Sequence, residues 1–243
     1  MRIRRFHLTS VPRRFAYEAE KFGLCLVPDV WPFKKFRQWH RANRFQRIYQ
    51  KNTWGNTESV SGPGSTLSAT EILRHDLPNL LAQLKVEVLL DAPCGDYNWF
   101  RHIQRHAAMR YIGGDIVPAI IERNIAHYAT DNTRFEILDI VNDPLPHADL
   151  WLCRDCLFHF PLRDIHAVLG RFAHGDIAHL LTTYTTDSVA NHEITLGDFR
   201  PLNLTLPPFR LPLPTHVIEE EPKNGEAKRL GLWTREQVRQ IYV

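Results

Sequence analysis

The sequence predicts an α/β fold built on a Rossmann-like, mainly parallel sheet with helices on both faces. Two observations carry this reading. Between residues 86 and 185, short apolar runs alternate with helix-like stretches, the pattern of parallel strands joined by crossover helices. Three of those runs also reach an aspartate near their carboxyl ends, at Asp91, Asp115 and Asp139. That edge is where doubly wound sheets take ligands. The 243 residues, 44% of them hydrophobic and 23% charged, suffice for one well-filled core and would be cramped as two domains.

The N-terminal 53 residues read as a basic helical extension, and residues 54–243 as the α/β domain. Helical patterns over residues 12–22 and 33–49 are separated by a turn around Pro28 and Pro32. In the second, Phe36, Trp39, Phe45 and Ile48 share one side, with Lys35, Arg37, Arg41 and Arg44 largely elsewhere. Residues 1–50 carry nine Arg and three Lys against Glu18, Glu20 and Asp29, a local +9 in a chain of net +3. A basic arm on a mildly acidic body suits an anionic partner such as RNA, a lipid surface or a phosphorylated molecule. A solvated charged face accounts for it equally well.

Residues 54–65 form a Gly- and Ser-rich loop, followed by a helix over 68–84 with Ser65 or Ser68 as its N-cap. Strands are then expected at 86–92, 110–116, 134–140, 148–153 and 177–185. Helices are expected from about Asn98, over 119–128 and over 162–172. Five prolines in residues 187–214 exclude a long helix there. Two more strands, 215–220 and 228–234, flank a turn at Asn224-Gly225, and a short terminal helix has Thr234 as its cap.

No run approaches the ~20 apolar residues of a membrane span, and no long apolar segment stands behind Arg2, Arg4 and Arg5. A secretory leader is therefore not expected. Cys25, Cys94, Cys153 and Cys156 offer one metal-like spacing, at Cys153 and Cys156, without a second pair to complete a zinc site. They read as reduced structural thiols of a cytoplasmic protein, with no metal expected.

The chemistry-bearing residues sit at the strand ends. After Asp91, the small Ala92, then Pro93 and Gly95, let a ligand approach the backbone closely. Asp115 follows 24 residues later, near the spacing of a carboxylate that takes a ribose diol. Asp139, beside Ile140, pairs an acceptor for an adenine amine with an apolar cover for its ring. A dinucleotide fingerprint would need G-x-G-x-x-G, and Pro93 and Tyr97 stand where glycines are usual.

VLLDAPCGDYNWF resembles motif I of the class I S-adenosylmethionine-dependent methyltransferases, in an Asp-x-Pro-Cys-Gly-Asp variant. YIGGDIVPAIIERN resembles the ribose-binding strand end of that superfamily, FEILDIVNDPLP the adenine-binding one, and ADLWLCRDCLFHFPLRDI the fourth strand with its acceptor-facing loop. The resemblance covers about residues 54–243. It extends to a bacterial methyltransferase-domain group through the WGN…SGPGS loop, CRDCLFHF and GDFRPLNLTLPPF. It implies a seven-stranded class I methyltransferase sheet with residues 215–234 as its antiparallel edge, and S-adenosylmethionine as cofactor. Asp91, Ala92, Pro93 and Gly95 would line the methionine side, Asp115 and Ile116 the ribose, Asp139 and Ile140 the adenine. Arg154 would border the donor and meet its carboxylate.

On the acceptor side, His159 reads as a general base with Asp155 holding the ring or the substrate. Asp155 with Asp187 or Asn191 only faintly echoes a metal-dependent arrangement. His192, Glu193, Asp198, Arg200 and Asn203 in the insert at 187–214 suggest a cover over a hydroxyl-rich, glycan-like small acceptor. Two alternatives stay open: an RNA methyltransferase gripping its substrate with the basic arm, and a donor-binding scaffold without catalysis.

Overall fold

The structure, a computed structural model, describes residues 33–220 and 228–242. The early helix at 12–22 and the turn at Asn224-Gly225 lie outside those residues. The chain divides into two compact units, Met1–Arg37 and Gln38–Val243.

The second unit is built on one seven-stranded sheet in the order β3-β2-β1-β4-β5-β7-β6. Its strands are β1 (Val88–Asp91), β2 (Arg110–Asp115), β3 (Thr133–Ile137), β4 (Leu150–Cys153), β5 (His179–Thr185), β6 (His216–Glu219) and β7 (Lys228–Thr234). The first five pair in parallel, while β7 runs antiparallel to both β5 and β6. Every residue of β1 and β4 is buried, as central parallel strands covered on both faces require. Alternation splits them between two cores. Leu90 and Trp151 face one side, Leu89, Leu150 and Leu152 the other.

Helix α2 (Glu71–Gln83) supplies Leu73, Leu77, Leu80 and Leu81 to the second core. On the opposite face, α4 (Leu162–His174) buries Ile165, Val168, Leu169 and Phe172, an apolar stripe at helical spacing. Between them in sequence, α3 (Pro118–Tyr128) connects β2 to β3. The terminal α5 (Arg235–Arg239) carries a capping box, with the Thr234 hydroxyl accepting from Gln237 N–H. β2 also crosses tightly beneath Phe135. A Cβ at Gly113 would come within 2.5 Å of that ring.

Three local expectations are corrected. The helix from Asn98 is a single 3-10 turn at Phe100–His102. Ile103 turns extended and ends it there, while Tyr97 ahead of it adopts φ +60 and packs its ring 4.9 Å from Tyr111. Neither Ser65 nor Ser68 caps α2. A 3-10 turn at Ser68–Thr70 precedes it, and the Thr70 hydroxyl donates to Thr66 O at 2.8 Å. Finally, β3 stops at Ile137, so Asp139 lies in the turn beyond it.

Helix α1 spans Phe33–Gln50, and from Gln38 onward it belongs to the second unit. Of the apolar residues expected on one side of it, Ile48 is buried but Trp39 is 56% exposed. Arg41 is buried, donating to Asp139 at 2.9 Å and to Asp164 at 3.0 Å. Arg44 donates to Leu196 O at 2.9 Å. Both are therefore committed within the domain, not offered to an anionic partner. Truncating one member of a buried ionic cluster strands the others. Arg41→Ala should cost roughly 3–5 kcal/mol, read as a lowered urea midpoint; a loss under about 1 kcal/mol would show that the aspartates do not depend on it.

Candidate ligand-binding site

A cleft of about 950 Å³, its open mouth included, lies over the carboxyl ends of β1, β2 and β4. Asp91, Pro93, Gly95, Asp115, Ile116, Asp139, Ile140, Arg154, Asp155 and His159 all line it. These residues, read separately from sequence, are brought to one place. Ala92 is the exception. It is fully buried, its carbonyl accepts from Trp151 Nε1 at 2.9 Å, and it lies in the sheet's core.

Asp91 and Asp115 are held by a hydroxyl and by backbone N–H groups. Asp115 Oδ1 accepts from Val117 N–H at 2.9 Å and Oδ2 from Gly95 N–H at 3.1 Å. Gly95 can turn its N–H there because it adopts φ +54. Burial raises Asp115 to about 6 despite those bonds. Asp91 accepts from the Tyr111 hydroxyl at 2.7 Å. Burial raises it to about 7, against that hydrogen bond and the charge of Arg154.

The other two are tied by cations. Asp139 receives Arg41, Val141 N–H at 3.0 Å and the Asn142 amide at 3.0 Å. These bonds occupy the acceptor capacity that the sequence reading gave to an adenine amine. Asp155 receives Lys228 Nζ at 2.8 Å on both oxygens, with Arg154 Nη1 at 3.2 Å. Burial pushes its pKa upward, but Arg154 and Lys228 together hold it far below the usual carboxylate range. Arg154 itself donates to Glu220 Oε1 at 2.8 Å and to Gly64 O at 2.9 Å, and lies over the Trp99 ring.

His159 is oriented by a carbonyl. Its Nδ1 lies 2.8 Å from Asp198 O. A carbonyl only accepts, so Nδ1 carries the proton and Nε2 the lone pair in the neutral ring. Burial lowers its pKa, outweighing the Asp198 carbonyl and the Asp155 charge. The imidazole stacks on Trp54, with centroids 5.1 Å apart and planes 23° apart.

The Gly- and Ser-rich loop forms one wall. Asp96 accepts from the Ser59 and Ser61 hydroxyls and from Val60 N–H, while its own N–H donates to Ser61 Oγ at 2.9 Å. A side chain at Gly64 would collide with Asp155. Sequence reasoning missed Phe45, Tyr49, Trp54 and Trp99 as lining residues, along with Arg41, Lys228 and Glu220 as counter-charges. Their partners lie far along the chain, where no local pattern reports them.

The insert at 187–214 differs from the expected polar cover. Leu196, Leu202, Leu204, Phe209 and Leu211 enter the core. Glu193 accepts Leu162 N–H, Arg200 donates to Phe160 O, and Asn203 binds Thr205. None of the five polar insert residues lines this cleft.

No protein-family model matches the sequence, and no curated protein sequence matches it either. Solved structures do resemble the fold. One is 1,6-didemethyltoxoflavin-N1-methyltransferase from Burkholderia thailandensis, holding 1,6-didemethyltoxoflavin and S-adenosylhomocysteine. It has TM-score 0.55 and 15% identity, over 85% of this chain and 91% of that one. Another is the N-methyltransferase NodS from Bradyrhizobium japonicum with S-adenosylhomocysteine, at TM-score 0.53, 15% identity, and coverage of 77% and 97%. A third is magnesium protoporphyrin IX methyltransferase from Synechocystis with S-adenosylmethionine, at TM-score 0.50, 14% identity, and coverage of 86% and 99%. This is the class I methyltransferase fold. As expected, the 215–234 pair forms the edge of the sheet, with β7 antiparallel to both β5 and β6. No helix among the described residues is long and apolar enough to cross a membrane.

Asp91 gives a pH test of this geometry. Its folded-state pKa, about 7, exceeds the ordinary aspartate value of 3.8. Between those values the unfolded chain has already lost a proton that the folded chain keeps, so stability falls as pH rises and then levels above about 7. Asp91→Asn removes this penalty while keeping an acceptor for Tyr111. Relative to wild type, the variant should gain stability steadily from pH 4 to 7 in urea titrations; a pH-independent difference would contradict the buried, raised carboxyl.

Proposed function

We propose that the chain binds S-adenosylmethionine in this cleft and transfers its methyl group to a small hydroxyl-bearing acceptor. The observation that carries the reading is Asp115. Its oxygens accept from the backbone N–H groups of Gly95 and Val117, with Ile116 N–H also facing it, and keep acceptor capacity for the vicinal hydroxyls of a ribose. The bound nucleosides in the three solved structures named above support it. Pro93 and Gly95 would border the methionine end, with Arg154 beside it held by Glu220. Ile116 and Ile140 would enclose the adenine, Asp139 remaining with Arg41.

When bound, the donor supplies an electrophilic methyl on a positively charged sulfur. The residues of the chain do the rest. The cleft orients the acceptor oxygen for in-line attack and excludes water. As the oxygen bonds to the methyl carbon, its proton passes to His159 Nε2, and the electron pair of the broken bond stays on sulfur. Asp155 is already paired with Lys228 and Arg154. It therefore keeps the loop charged and rigid, while His159 acts as base. The RNA alternative loses Arg41 and Arg44, both engaged internally.

Calorimetry should detect S-adenosylhomocysteine binding in the micromolar range, about −8 kcal/mol. Affinity should fall as pH drops through about 6, where Asp115 gains a proton. Asp115→Asn should weaken binding roughly tenfold to a hundredfold and flatten that pH dependence. No binding of either donor or product by the intact chain would overturn the assignment.

Turnover should fall on the acid side with a midpoint below 6.5, because burial lowers the His159 pKa from that value. His159→Gln, measured with labelled donor, should lose about 10²–10⁴ in rate with product affinity unchanged. A glutamine variant with normal turnover and an unaltered pH profile would remove His159 from the chemistry.

A further inference from the structure

The acceptor half of the cleft is unlike a sugar site. A hydroxyl-rich acceptor is recognised by polar side chains left open to it. Here the polar groups are turned inward. Asp155 is closed by Lys228, Asp139 by Arg41, and the Ser61 hydroxyl by Asp96. Glu193, Arg200 and Asn203 of the insert bond to Leu162 N–H, Phe160 O and Thr205, and none of the five polar insert residues lines the cleft.

What lines the cleft there is flat and aromatic, with a phenol hydroxyl at Tyr49. Phe45 and Tyr49 come from α1, Trp54 from the Gly- and Ser-rich loop, and Phe160 from the segment after β4. Phe45 and Phe160 lie 5.7 Å apart. Trp54 and His159 are nearly parallel, so a planar ring added to that stack meets a face rather than an edge. The nitrogen with the free lone pair belongs to the same stack. The lone pair lies in the imidazole plane, so a hydroxyl reaches it from a ring seated beside His159 on Trp54, not from one stacked on the imidazole face. Aromatic partners favour this offset-stacked geometry.

From these contacts we infer that the acceptor is a planar aromatic ring bearing the hydroxyl, stacked on Trp54 beside His159. This rests on the donor reading above. A phenolic acceptor also suits a neutral imidazole, because its proton is far more acidic than that of a sugar hydroxyl.

The test uses the intact chain saturated with S-adenosylhomocysteine and a panel of phenols and hydroxyquinolines. Each is paired with its saturated-ring counterpart, and methyl glucoside is included. Ligand-observed NMR should show the aromatic member of each pair binding roughly tenfold tighter. Trp54→Ala should abolish that preference and Trp54→Phe should restore most of it, with circular dichroism confirming that both variants fold. Equal binding of flat and saturated rings, or tighter binding of the glucoside, would overturn the inference. Calorimetry with S-adenosylhomocysteine alone reads the donor separately. If it binds and the phenols do not, only the aromatic acceptor falls. If the phenols bind and it does not, the donor reading falls and the aromatic site stands.

Discussion

Four acidic side chains, Asp91, Asp115, Asp139 and Asp155, are gathered beyond the carboxyl ends of the parallel strands, the first three buried and Asp155 partly so. Burying a carboxylate is costly unless it is protonated, hydrogen-bonded or paired. The site is organised by the different answer each one receives. Tyr111 answers for Asp91, backbone N–H groups for Asp115, Arg41 for Asp139, and Lys228 with Arg154 for Asp155. Each partner arrives on a different segment, so satisfying the charges also draws α1, the loop after Asp91 and β7 around the cleft.

The division between poised and closed carboxylates sets the chemistry. Asp91 and Asp115 keep capacity for a ligand, since their partners are a hydroxyl and backbone amides and their pKa values are raised by burial. Asp139 and Asp155 have cations already and serve as struts. His159 follows a third rule, its tautomer set by the Asp198 carbonyl and its face covered by Trp54. A donor end and an acceptor end therefore differ in kind, one acidic and hydrogen-bonding, the other flat and aromatic.

Much of the sheet was legible because its determinants are local. Buried runs such as VLLD and LWLC mark central strands, the alternation marks their connections, and Thr234 marks the start of the last helix. The strand-end aspartates were legible for the same reason. What the sequence hid was pairing across distance. Arg41 reads as one more charge on a basic helix, yet it joins Asp139 and Asp164, 98 and 123 residues away. The 3-10 turn after Tyr97 was hidden too, since a positive φ on an aromatic residue follows from packing against Tyr111 and Phe135. In the insert, proline content correctly excluded a long helix. The polar residues suggested a cover, while the leucines that enter the core determined where the segment lies.

The most direct measurement is a crystal structure of the chain with S-adenosylhomocysteine. The account requires the ribose diol on Asp115, the adenine between Ile116 and Ile140, and the sulfur opening toward the His159–Trp54 stack. It also requires Asp139 to remain paired with Arg41. A nucleoside bound elsewhere, or one that leaves Asp115 without a diol, would contradict it.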